Sequence, residues 1–159
     1  RQAELARDRA PAATALSPEQ EALLEADVVH VAAHGTHQQE NPMFASVLLH
    51  DGPLYVYDLQ HTGVGAAHVV LGACEVGRST VRPGEEALGL TAGLLGLGAQ
   101  CVVAGMGQVP DDVSLAAMGR YHAALAKGRP SDEAMAEAVE ATDPLAAAFQ
   151  VAGAAWRAP

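Results

Sequence analysis

GEEALGLTAGLLGLGAQCVVAGMG, residues 84–107, is the stretch on which the fold turns. From Ala87 to Val109 there is no charge, and that length alone would allow a membrane crossing. The stretch nevertheless holds six glycines together with Thr91, Gln100 and Gln108, and it divides in two. GEEALGLTAGLLGLG reads as a helix, with Glu85 and Glu86 in its first turn and Gly98 as its stop. QCVVAGMG reads as a short strand buried on both faces. A buried helix followed by a buried strand belongs to a soluble α/β core, and the membrane reading falls.

The flanking segments repeat that alternation. Ser17-Pro18-Glu19-Gln20 starts a helix that should end near Glu25: Ser17 can cap, Pro18 suits the first helical position, and Gln20 completes a capping box. DVVHVAA, residues 27–33, reads as a strand ending at His34-Gly35, and THQQENP as a polar loop. SVLLHDGPLYVYDL sets Asp51-Gly52 between two apolar runs, the mark of a hairpin. HVVLGAC, residues 68–74, is a further strand ending at Cys74, followed by the loop EVGRSTVRPG. PDDVSLAAMGRYHAALAKG predicts a helix from Asp111 to Lys127 with an apolar stripe through Leu115, Met118, His122 and Leu125. PSDEAMAEAVEAT predicts a helix capped by Ser131, and DPLAAAFQVAGAAW a closing strand. The sum is an α/β fold with a largely parallel central sheet flanked by helices. Residues 1–16 read as a linker or the end of an upstream element, and residues 17–159 as the domain.

Composition narrows the function. The 159 residues are 50% apolar and only 18% charged, which suits a packed core rather than a disordered tail. Nine basic against 19 acidic side chains leave a net charge of −10, and the eight Arg and one Lys are scattered. Nucleic acid and anionic membrane surfaces both demand a concentrated positive patch, so neither is an expected partner. Two cysteines, Cys74 and Cys101, cannot build a disulfide framework, and free thiols point to a reducing, cytoplasmic setting. No signal peptide opens the chain, which begins with Arg1 and reads as part of something longer. The alanine- and arginine-rich usage fits a bacterial source.

Ligands of parallel sheets bind at the carboxyl ends of the strands, and two strands end on reactive residues. His34 closes one and Cys74 the other, 74 − 34 = 40 residues later. If those strands are parallel neighbours, both side chains reach one rim. An imidazole can then generate the thiolate and later protonate the leaving group. Gly35 has no side chain to shield its N–H, which with the Cys74 N–H could form an oxyanion hole. The bland reading stands beside this one: a single Cys ending an apolar strand is most often a small buried hydrophobe.

Other constellations fail. Gly72-Ala73-Cys74-Glu75-Val76 has no second glycine at Val76, against a nucleophile elbow. His30, His34 and His37 invite a zinc reading, but their spacing in a strand keeps them apart and no HExxH helix exists. Gly63-x-Gly65 lacks the third glycine of a phosphate fingerprint. His122 reads as semi-buried on its helix, whereas His50, His61 and His68 show no partners and read as solvated or capping. No metal or cofactor is called for.

VVHVAAHG, SVLLHDGPLYVYDL, HVVLGACEVGRS and GEEALGLTAGLLGLGAQCVVAG, in that order, resemble the CHAT family, caspase-like domains often attached to tetratricopeptide repeats. DPLAAAFQVAG resembles the family's closing segment, so the likeness spans about residues 17 to 155. The resemblance implies a caspase-like α/β sandwich and a cysteine endopeptidase. His34 matches its general base, Cys74 its nucleophile, and the Gly35 and Cys74 amides its oxyanion hole. It implies a protein or peptide substrate and regulation by an upstream domain or partner protein. Two rivals share the residues: a non-catalytic interaction or signalling domain, and a small-molecule thiol hydrolase or transferase. The chain departs from the pattern at Val76, where Thr is common, at Gly107, where Trp is usual, and in the alanines of LAAAF. It also lacks room for the strands that similar domains place before the His strand, so the domain is expected to be incomplete at its N-terminus.

Gly72 stands two residues before Cys74, where related proteases that cut after Arg or Lys carry an acid. With Leu71 and Ala73 apolar, and no basic residue before Arg78 and Arg82, the expectation is a neutral, apolar substrate residue before the scissile bond. The alternative is that Gly72 merely admits a close neighbour.

Overall fold

The computed structural model describes residues 16–36, 41–50, 52–72, 85–107 and 109–159. Ser17 caps α1 (Pro18–Glu25) as expected: its Oγ accepts from the Gln20 N–H at 3.3 Å, while Gln20 Oε1 accepts from the Ser17 N–H at 2.9 Å. The chain then forms β1 (Val28–Val31), β2 (His34–Thr36), β3 (Ser46–Leu49), β4 (Gly52–Tyr55) and β5 (His68–Leu71). Next come α2 (Glu85–Gly96), β6 (Cys101–Gly105), α3 (Asp111–Leu125), α4 (Ser131–Glu140) and β7 (Phe149–Gly153).

Four strands make the central sheet in the order β1-β5-β6-β7. β1 and β5 are parallel neighbours, with Val28 opposite His68 and Val31 opposite Leu71. β5 and β6 are parallel as well, and β7 closes the sheet antiparallel to β6. The mostly parallel α/β architecture read from the sequence is therefore present, with helices on both faces.

Alternation along the strands sorts the core into two layers. Val70, Cys101 and Val103 face α3 and α4, packing against Met118, Tyr121, Leu125 and Met135. Val69, Leu71, Val102 and Ala104 face the other way, beneath Leu90 and Leu94 of α2 and Leu23 of α1. Both faces of β5 and β6 are thus covered, and each fully buried valine contributes about 1.5–3 kcal/mol. The uncharged stretch is what this burial requires: α2 lies on the sheet and β6 inside it. Gly93 lets α2 approach closely, because a Cβ there would stand 2.7 Å from Val56 Cγ1. Gly98, at φ +125°, ends the helical segment and turns the chain toward β6. Among the described residues no helix is long and apolar enough to cross a membrane.

Several expectations need correction. The strand of residues 27–33 is shorter, and His34 does not close it. After Val31 the chain leaves the central sheet, and His34 opens β2 in a separate antiparallel sheet of order β2-β3-β4, opposite Leu48. The hairpin itself is present, with Leu49 opposite Gly52 and Gly52 at φ +128°. Asp51 lies outside the described residues, as do residues 1–15, His37, Cys74 and the whole loop of residues 75–84. β5 is His68–Leu71, and residues 73 and 74 of the expected strand lie outside the described residues.

On α3 the stripe is rotated. Leu115 is 77% exposed, while Ala117, Met118, Tyr121, Ala124 and Leu125 are buried. Ser131 does not cap α4: Pro130 holds that position, and the buried Ser131 hydroxyl accepts from the Trp156 N–H at 2.9 Å. The closing segment is a 3-10 turn (Pro144–Ala148), capped by Asp143, before it becomes β7.

Candidate functional site

The carboxyl rim of β1 and β5 is where the candidate residues converge in sequence. Val31 and Leu71 face each other at the ends of the two strands. The Gly72 N–H donates to the Val31 carbonyl at 2.9 Å, so the pairing runs one residue further. His34 follows Val31 by 34 − 31 = 3 residues, and Cys74 follows Leu71 by 74 − 71 = 3. Three extended residues span at most about 10 Å, which bounds the distance of His34 from Val31, whereas Cys74 lies outside the described residues.

From there the chain takes His34 and Gly35 into β2, where Gly35 stands opposite Val47. α2 presses on this strand: a Cβ added to Gly35 would lie 3.2 Å from Leu90 Cδ1 and 3.7 Å from the Ser46 carbonyl oxygen. A methyl group here would need the Leu90 side chain to give by a few tenths of an ångström, so a glycine suits the packing.

Two further histidines reach this rim from the α3 side. His30 Nδ1 and His122 Nε2 share a hydrogen bond of 3.0 Å, their rings 5.0 Å apart and inclined at 33°. The His30 ring also lies against Gly72, whose missing Cβ would fall 2.4 Å from His30 Nε2. Gly72 therefore does admit a close neighbour, and that neighbour is an imidazole. Partial desolvation, then the proximity of His122, hold the His30 pKa below the usual histidine value. Desolvation does the same to His122. Sequence spacing could not show this pair, because its members are 92 residues apart.

The chain's other histidine–cysteine pair has a different character. His68 and Cys101 open β5 and β6 opposite one another, at the amino ends of the strands and away from the rim. His68 is not solvated, as its sequence context suggested, but wholly buried. Its Nδ1 lies 3.2 Å from the Cys101 carbonyl, which can only accept, so Nδ1 carries the proton and Nε2 accepts from the Tyr121 hydroxyl at 2.7 Å. The ring stacks on Trp156 at 5.1 Å. The imidazole thus touches the cysteine's backbone, not its sulfur. The Cys101 thiol donates to Ser131 Oγ at 3.4 Å, and burial pushes its pKa up, which keeps it protonated. A neutral buried thiol is a poor nucleophile. This cluster is a structural lock joining β5, β6, α3 and the C-terminal segment. His50 and His61 are exposed, as expected.

In sequence, the parallel neighbours β1 and β5 are followed by His34-Gly35 and Ala73-Cys74, two of the motifs that carry the family resemblance. The match to a family model agrees: the CHAT domain covers residues 2–155. The chain belongs to the CHAT domain family, a caspase-like cysteine peptidase family. No curated protein matches it.

Proposed function

We propose that this chain is a cysteine endopeptidase domain working through His34 and Cys74. The observation that carries the reading is the parallel pairing of β1 with β5, which starts both candidates from the facing residues Val31 and Leu71. His34 takes the proton of the Cys74 thiol, and the thiolate attacks a peptide carbonyl. The Gly35 and Cys74 N–H groups stabilise the oxyanion. Collapse breaks the C–N bond, His34 protonates the departing amine, and a thioester remains. Water, deprotonated by His34, then hydrolyses the thioester and restores the thiol. Every step uses protein groups and water, so the mechanism needs no metal or cofactor. The substrate is a protein or peptide in a cytoplasmic setting, and an upstream region or partner protein switches the activity.

In the full parent protein with its activator, Cys74→Ala and His34→Ala should each abolish peptide cleavage while the fold is retained. Full activity in Cys74→Ala would refute the mechanism.

A further inference from the structure

His30 Nδ1 and His122 Nε2 stand 3.0 Å apart at the surface, one on β1 and the other on α3. Spacing along the strand argues against a zinc site made of His30, His34 and His37. The geometry instead brings His30 a partner from another element, 92 residues away in sequence. β1 is an edge of the central sheet among the described strands, paired with β5, so a bond to α3 is its second anchor. The missing Cβ of Gly72 leaves the His30 ring its space, since a methyl group there would stand 2.4 Å from Nε2.

Two imidazole nitrogens facing each other at this separation can chelate a cation. Metal–imidazole bonds are about 2.0–2.1 Å long, so two of them at a right angle put the nitrogens about 2.9 Å apart. At the tetrahedral angle the separation is about 3.4 Å. The observed 3.0 Å lies between these values. A turn of each ring about χ2, a torsion with a broad minimum, points both lone pairs at one ion. The proton now shared in the hydrogen bond moves to the far nitrogen of its own ring. Both rings stay neutral, and each lone pair replaces one water of the hydrated cation. Desolvation already holds both histidines below their usual pKa, with the proximity of His122 adding to the effect at His30. The neutral form that a metal requires is therefore the one present at neutral pH.

Among the described residues no third histidine, cysteine or carboxylate joins the pair. The remaining coordination positions fall to water or an outside ligand, unlike those of a closed four-ligand structural zinc centre. Imidazole suits Zn²⁺, Ni²⁺ and Cu²⁺, whereas Mg²⁺ and Ca²⁺ take oxygen ligands.

We propose that His30 and His122 form a two-histidine site for a divalent transition-metal ion, Zn²⁺ in the first place, which cross-links β1 to α3. The site stands independently of the peptidase reading. Because its ligands come together only in the folded chain, the ion stabilises the native state.

The test titrates Zn²⁺ into the full chain carrying Cys74→Ala, in which the remaining thiol, Cys101, is buried. The imidazole NMR resonances of His30 and His122 should shift together, and Tm should rise by about 5 °C or more at one hundred times Kd. Mg²⁺ should do neither. His30→Gln and His122→Gln should each weaken Zn²⁺ binding at least tenfold and remove the rise in Tm, while replacing the exposed His61 with Gln changes neither. Tm without metal shows whether each variant is folded, and if one is not, the two resonances decide. No binding below about 1 mM Zn²⁺, a shift of only one of the two imidazoles, or binding unaltered in both variants overturns the proposal.

Discussion

The Tyr121 hydroxyl donates to His68 Nε2 at 2.7 Å inside the core, joining α3 to the first residue of β5. Both side chains are fully buried, so neither can turn to water if the other is removed. Tyr121→Phe should therefore lower stability by about 1–3 kcal/mol, the cost of leaving a buried acceptor unpaired. Urea unfolding measures it. A variant as stable as the wild type would mean that the hydroxyl does not hold the imidazole.

The same lock makes stability depend on pH. Burial holds the His68 pKa down, only partly offset by the hydrogen bond to the Cys101 carbonyl, and His30 and His122 are lowered too. A histidine whose folded pKa is depressed prefers to be neutral in the native state, so the unfolded chain binds the extra proton. Its stabilising contribution is present above the unfolded value of 6.5 and is lost as pH falls through and below it. Unfolding free energy should drop between pH 7.5 and pH 5.5 (about one unit either side of the unfolded histidine value), and less steeply when His68 is replaced. A rise over that window would contradict the assignment.

α3 offers a paired comparison. Met118 is 4% exposed and packs under the sheet, whereas Leu115 is 77% exposed. Met118→Ala should cost about 2–5 kcal/mol, and Leu115→Ser should stay within about 0.5 kcal/mol. Equal effects would show that the helix presents the face expected from its sequence stripe instead.

That stripe illustrates what was legible in the chain and what was not. The α1 capping box, the hairpin near Gly52 and the helix–strand division at Gly98 depend on neighbours a few residues apart, and each is found where expected. The parallel pairing of β1 with β5 was also readable from the alternation of helices and strands along the chain, although the small β2-β3-β4 sheet rather than a helix connects these two strands. His34 was misplaced because a strand's end is set by where its partner stops, and Leu71 lies 71 − 31 = 40 residues from Val31. His68 and the His30–His122 pair were missed for the same reason: their partners lie 53 and 92 residues away. Ser131 looked like a cap because Ser before an acidic first turn usually is one. Its partners, Trp156 and Cys101, come from other elements and outweigh the local signal.

If Cys74 is a nucleophile made reactive by His34, the rate of its alkylation reports that reactivity. Limiting iodoacetamide followed by peptide mapping, in the wild type and in His34→Ala, separates Cys74 from the buried, protonated Cys101. Cys74 should be labelled well before Cys101, and His34→Ala should slow Cys74 labelling near neutral pH. Preferential labelling of Cys101, or a Cys74 rate indifferent to His34, would contradict it.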